Sequence, residues 1–116
     1  MLILHNDARS TPLRMDIECD RAAQSHAEWM AEHDKMSHEQ QFSYENRTVG
    51  DRLKKKWTAV GENIAVGQET PSEVVQDWLN SSGHRKNIKN SSFEHVGFGV
   101  STSKNGLKYW CTVFSD

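Results

Sequence analysis

Apolar and polar positions recur with two different periods along this 116-residue chain. Cys19, Ala22, Ala23, His26, Ala27, Met30 and Ala31 fall at three-then-four spacings, the stripe of an amphipathic helix. Asp16 is a suitable N-cap, and Glu18 and Asp20 put negative charge in the first turn, where the helix dipole favours it. The pattern predicts a helix from about Ile17 to Glu32 or Asp34. Four alanines on its inner face imply that another layer packs closely against it. His26 lies on the same face and reads as a packed core histidine.

Shorter helical patterns flank this one. Residues 2 to 9 read as an opening helix, broken by Ser10-Thr11-Pro12 because proline disfavours helical backbone in the preceding residue. Leu13 then serves as an apolar anchor. Val49 to Trp57 suggests a short helix with Leu53 and Trp57 four apart. Thr70-Pro71-Ser72-Glu73 is a helix start, with Thr70 as cap, proline at the first helical position and Glu73 completing a capping box. Val74, Val75, Trp78 and Leu79 are its buried face. Ser81-Ser82-Gly83 ends it, and a further turn runs from His84 to Ile88.

The second period is two. Val96-Gly97-Phe98-Gly99-Val100 alternates large and absent side chains, a strand whose glycine face admits a close backbone or a bulky ring. Asn105-Gly106 is a strong hairpin signal, and Tyr109 to Phe114 is the returning strand. Helices on the faces of a small antiparallel sheet, an α+β architecture, follow from these elements. Lys35 to Gly50 is polar and irregular, with Phe42 and Tyr44 as expected pins. Gly61-Glu62-Asn63-Ile64-Ala65-Val66-Gly67 reads as an irregular central segment.

Composition narrows the function classes. The length suits one domain over residues 1–116. Charged residues make up 26% and the formal net charge is -2, which gives no strong electrostatic claim on nucleic acid. The basic run Lys54-Lys55-Lys56, after Asp51-Arg52, reads as a solvated helix face. No apolar run is long enough to span a bilayer, so the chain is not expected to be an integral membrane protein. The first residues do not form a signal peptide; either the protein is cytoplasmic or a leader lies outside this sequence. Cys19 and Cys111 allow one bridge at most and read more readily as buried free thiols.

The candidate chemistry rests on His38, Glu62 and His84, expected in one cleft with Asn63, Ser81, Ser82 and Arg85 lining it. Two histidines and a carboxylate can hold a divalent transition metal such as zinc with room for water. The carboxylate can then act as general base. The same groups suit metal-free acid–base chemistry or a polar ligand pocket. Their spacing matches no local metal motif: His38-Glu39-Gln40-Gln41-Phe42 lacks the second histidine of a zinc-protease helix. There is no Gly-x-Ser-x-Gly elbow or phosphate-binding glycine loop. The serines before His84 read as helix caps rather than nucleophiles.

Several stretches, in order, resemble the CAP superfamily (the SCP domain of cysteine-rich secretory proteins, antigen 5 and pathogenesis-related 1 proteins). They include His5-Asn6-Asp7-Ala8-Arg9, Ser37-His38, Gly61-Glu62-Asn63-Ile64-Ala65, Ser82-Gly83-His84-Arg85-Lys86-Asn87-Ile88, Val96-Gly97-Phe98-Gly99-Val100 and Tyr109-Trp110 through Phe114. The form around His84 looks like the compact bacterial-type branch. The resemblance implies an α-β-α sandwich and a cleft of two histidines and two acidic residues. His38, Glu62 and His84 match three of these; Ser81 stands where the second acid is expected, so a dication should bind less tightly. Most members are exported, which implies a secreted or cell-envelope protein. Three functions follow as expectations. One is a binding module for a metal and a lipid, peptide or cell-envelope ligand. Another is a metal-assisted peptidase or esterase using Glu62. The third is an interaction scaffold without an active cleft.

Overall fold

The computed structural model describes residues 1–41 and 43–116; Phe42, expected to act as a pin, lies outside them. The elements, in order, are α1 (Leu2–Asp7), β1 (Arg14–Met15), α2 (Ile17–His33), α3 (Val49–Arg52), β2 (Val60–Val66), α4 (Pro71–Leu79), α5 (Ser82–Lys89), β3 (His95–Thr102) and β4 (Lys108–Ser115). The strands form one sheet in the order β1-β3-β4-β2. The pairs β3–β4 and β4–β2 are antiparallel, and the two-residue β1 runs parallel to β3.

The helices cover both faces of this sheet. On one face the expected α2 stripe packs with Ile64, Tyr109, Cys111 and Val113. On the other, Val74, Val75 and Trp78 of α4 and Ile88 of α5 pack with Ala65, Val96, Trp110 and Phe114. The result is an α-β-α sandwich. Its α2 layer is held close because Gly97 and Gly99 present no side chain to it. A Cβ at Gly97 would lie 2.0 Å from Asp20 N, and one at Gly99 would lie 2.5 Å from the carbonyl oxygen of Ala23. The neighbour admitted by the glycine face is thus the α2 backbone itself.

Most boundaries follow the capping signals. Asp16 accepts a hydrogen bond from Glu18 N at 3.1 Å and starts α2. Asp34, in left-handed conformation, ends it. Thr70 accepts from Glu73 N at 3.2 Å. The return arm of the expected capping box is absent there, because the Glu73 carboxylate accepts instead from Glu69 N at 3.2 Å. Leu13 is anchored as expected: it is buried, and its backbone exchanges two hydrogen bonds with the Asn6 amide.

Several expectations are corrected, and Tyr44, expected to act as a pin, is exposed. The segment Gly61–Gly67 is not irregular: its residues through Val66 belong to β2 and pair with β4 from Val60↔Ser115 to Val66↔Tyr109. The helix expected from Val49 to Trp57 is the single turn α3, which ends before Leu53; Leu53 is buried and Trp57 exposed. Lys54, Lys55 and Lys56 therefore lie on no helix. Lys54 N donates to Glu18, and the Lys55 ammonium pairs with Asp16, which binds the connection to the start of α2. The last helix is also longer than one turn, spanning Ser82–Lys89.

His5, on α1, is fully buried against Trp78, Phe98 and Phe114. Burial lowers its pKa to about 4, so it is neutral in the folded protein near pH 7.

The close α2–β3 approach gives a direct test. Gly97→Ala should destabilise the fold by about 3 kcal/mol or more, because the obstacle is backbone rather than a movable side chain. Gly83→Ala meets nothing within 4 Å and should be neutral or slightly stabilising. Urea denaturation of the two variants beside the parent protein measures the contrast, and equal midpoints would refute it.

Candidate functional site

Successive residues on a strand face opposite sides of the sheet, and β2 uses this to serve two layers. Glu62 faces the α2 layer and Asn63 faces α5. Asn63 is fully buried; its amide donates to the backbone oxygen of His84 at 3.1 Å and accepts from the Asn87 amide at 2.9 Å. Asn87 also donates to the backbone oxygen of Glu62 at 3.2 Å. Asn63 therefore fastens α5 to the edge of the sheet.

Glu62 is the centre of a buried charged cluster. Its Oε1 accepts from Nδ1 of His38 at 2.9 Å, and its Oε2 accepts from Nη2 of Arg52 at 2.6 Å. The Cys111 thiol lies 3.6 Å from Oε2, and His26 Nε2 lies 3.9 Å from Oε1. The side chains of Arg52 and Glu62 are each 2% exposed, whereas that of His38 is 59% exposed. Burial alone would raise the Glu62 pKa. The His38 hydrogen bond and the Arg52 charge outweigh it and hold the carboxyl below its ordinary value.

Arg52 is the residue that sequence reasoning missed. It stands in a run of charges that reads as a solvated face, but it is buried. Besides Glu62, its guanidinium donates to the backbone oxygens of Asn46 and Arg47 at 3.2 and 3.0 Å. The sequence holds no local signal of this, because a charge among charges reads as solvated.

The loop carrying His38 is pinned a second time from α2. His26 Nε2 donates to the backbone oxygen of Ser37 at 2.6 Å, and its Nδ1 accepts from the Gln40 amide at 3.0 Å. Desolvation by burial lowers its pKa to about 4, which matches a neutral ring with one donor and one acceptor nitrogen. The packed-histidine reading of His26 holds, with the addition that it orients the segment bearing His38.

His84 lies on α5, half-buried. Its Nδ1 is 3.0 Å from the Ser81 hydroxyl. Ser81 is the N-cap residue of α5 but makes no side-chain capping bond, so its hydroxyl serves the ring instead of the helix end. Burial, and then the charge of His38, lower the His84 pKa. Ser81 and His84 border a groove of about 260 Å³ whose other walls include Met36, Ile64, Val66 and Trp78. Ser82 and Arg85 are exposed on α5. The structure thus joins His38 directly to Glu62, with His84 across the edge of β2. Among the described residues, no group of three or more His, Cys, Asp or Glu side chains is arranged to hold a metal.

The two cysteines are free and buried. Cys19 lies 3.5 Å from the Ser115 hydroxyl, while Cys111 faces Glu62. Burial raises both thiol pKa values, that of Cys19 to about 11, so neither is a ready nucleophile.

Comparison with known proteins settles the lineage. A profile of the cysteine-rich secretory protein family, CAP, matches residues 2–114. The chain belongs to this family. The protein YkwD of Bacillus subtilis is 39% identical over 94 residues, covering 76% of this chain and 34% of YkwD. An extracellular SCP-domain protein from Bacillus anthracis superposes with a TM-score of 0.76 at 32% identity, covering 90% of this chain and 34% of that one. An outer surface protein of Borrelia burgdorferi superposes with a TM-score of 0.83 at 20% identity, covering 98% of this chain and 90% of that one. The chain spans about a third of the length of the Bacillus relatives. Among the described residues of this CAP domain, no helix is long and apolar enough to cross a membrane.

The cluster makes stability depend on pH. A carboxylate with a depressed folded pKa stabilises fully above its unfolded value, about 4.3, and loses that contribution as pH falls through the folded value. His5 and His26 act at higher pH. Both are neutral when folded and take up protons near pH 6.5 when unfolded, so stability declines as pH falls from about 6.5 towards 4. The thermal midpoint should therefore drop between pH 7 and pH 4.5, and less in His26→Gln. A flat profile in the parent protein would contradict this. At pH 7, Glu62→Gln should destabilise by about 3 kcal/mol, because it leaves the Arg52 charge buried without a counter-ion; chemical denaturation reads this directly.

Proposed function

We propose that this CAP domain is a non-enzymatic binding module whose cleft takes a divalent metal on His38 and His84 and an organic ligand in the adjoining groove. The observation that carries this reading is the commitment of Glu62. Both carboxylate oxygens are engaged, one by His38 and one by Arg52, and the group is held ionised. A general base has to reach the water and hold a pKa near the working pH, whereas the Glu62 side chain is 2% exposed and its pKa lies below the ordinary carboxylate value. Glu62 is better suited to fixing a ligand than to moving a proton, which weighs against the peptidase or esterase reading.

The donor set supports a metal of modest affinity. Each histidine is hydrogen-bonded through Nδ1, His38 to Glu62 and His84 to Ser81. Nε2 is then the nitrogen of each ring left to face a cation, and a carboxylate behind a ligating imidazole raises its basicity. Ser81 supplies orientation to His84 without negative charge. Two imidazoles with the remaining positions open suit an exchangeable zinc ion. The groove beside His84 has apolar walls in Ile64, Val66 and Trp78 and a polar edge at Ser81 and His84, a composition that suits a lipid tail or an extended peptide. The extracellular description of the Bacillus anthracis protein supports export to the cell envelope or beyond.

Calorimetric titration of zinc into metal-stripped protein tests the reading. One-to-one saturable binding is expected, with loss of at least about 100-fold in affinity in the His38→Ala/His84→Ala double variant. Ser81→Glu should tighten binding by restoring a charge. Absence of binding in the parent protein would refute the metal site. Turnover of peptides or esters that disappears in Glu62→Gln would replace the binding reading with the hydrolase.

A further inference from the structure

The histidine that meets Glu62 is largely exposed, and an exposed imidazole is not held by packing. Its orientation has to come from its hydrogen bond, and that bond depends on where the carboxylate points. Glu62 has other groups within reach. Cys111 lies 3.6 Å from Oε2 and His26 Nε2 lies 3.9 Å from Oε1. The group that occupies Oε2 at 2.6 Å is Arg52, itself held by the backbone oxygens of Asn46 and Arg47.

We propose that Arg52 is a positioning residue for His38: by holding Oε2 of Glu62 it presents Oε1 to His38 and fixes that ring with its proton on Nδ1 and its lone pair on Nε2. The guanidinium is fitted to this role because it is planar and offers several donors in fixed directions. One nitrogen, Nη2, serves the carboxylate, while Nη1 holds the two carbonyls of the loop. The carbonyl of Arg52 also accepts from Arg21 Nη2 at 2.6 Å, which ties the backbone of α3 to α2. The path from α2 to the exposed ring is therefore continuous: Arg21, α3, the Arg52 guanidinium, Glu62, His38. A lysine at this position would keep the charge but not the geometry, since an ammonium cannot hold the carboxylate and both carbonyls in the same fixed fan.

The inference rests on the proposed use of Nε2 of His38 as a ligand, but its central claim concerns the metal-free ring. Nitrogen-15 NMR of the histidine side chains in metal-free protein at neutral pH tests it in the parent, Arg52→Lys and Arg52→Met. In the parent, His38 should show the Nδ1–H tautomer. His26, which donates from Nε2 to Ser37, should show the opposite tautomer and so reports that the fold is intact. In Arg52→Lys, and in Arg52→Met if it folds, His38 should become a mixture of tautomers while His26 is unchanged. Zinc affinity should fall about 10- to 100-fold in the same variants. An unaltered His38 tautomer in a variant with an intact His26 signal would overturn the proposal. If Arg52→Met unfolds, Arg52→Lys alone decides. A parent protein that shows the tautomer but binds no zinc would refute the metal reading and leave the positioning role standing.

Discussion

A carboxylate shut inside a small protein has to be met by positive charge and hydrogen bonds, and Glu62 imposes that requirement on this fold. Taking an ion from water into the interior is costly by several kcal/mol even after relaxation. The compensation comes from three directions. Arg52 arrives from a single turn of helix, His38 from a long polar loop, and β2 carries the acid itself between them. Asn46 and Arg47 are bound to the same guanidinium, so the loop that bears His38 is closed by the ion pair that neutralises Glu62. Stability and site geometry therefore share one cluster. Changes that disturb the acid should be felt in both.

The sheet gives that cluster its place. β2 is an edge strand, and its alternation sends Glu62 to the α2 layer and Asn63 to α5. An edge strand usually exposes unpaired backbone groups to other chains. Here side chains meet them: Trp78 Nε1 donates to the backbone oxygen of Ile64 at 3.0 Å, and Asn87 to that of Glu62 at 3.2 Å. The opposite edge is treated in the same manner. The backbone N–H groups of Phe98 and Val100 donate to Asp20 and Gln24 of α2 at 2.8 and 3.0 Å. Close packing of α2 on Gly97 and Gly99 makes the second arrangement possible, because it brings short polar side chains within reach of the β3 backbone.

The parts legible in the sequence are those in which one periodicity is undisturbed. The α2 stripe, the Thr70-Pro71 start and the Asn105-Gly106 hairpin can be read because their patterns are local. β2 cannot, since Glu62, Asn63, Ile64 and Ala65 are all buried and two of the four are polar; there is no alternation, and the apolar run Ile64-Ala65-Val66 is too short to mark a strand by itself. Arg52 is hidden for a related reason. A charge among charges looks solvated, and only the three-dimensional position of Glu62 reveals its burial. The association of His38, Glu62 and His84 comes from family resemblance rather than spacing. Ser81 reads as a helix cap in the sequence, whereas its hydroxyl bonds to His84, a choice between two nearby partners that sequence does not decide.

The two histidines are held by unequal partners, and the difference bears on what the cleft can do. His38 is backed by an ionised, buried and doubly tethered carboxylate. His84 is backed by a neutral hydroxyl on a half-exposed helix start, which can donate or accept as the ring requires. One ring is fixed and the other is adaptable. A hydrolytic metal centre needs a tightly held ion and a free base close to its water. This cleft has its acid already committed and only one of its two rings backed by charge. On the proposed binding reading, an exchangeable ion that completes its shell with groups from an incoming ligand is the better match to that asymmetry. The apolar groove lies against His84, on the adaptable side, where such a ligand would enter.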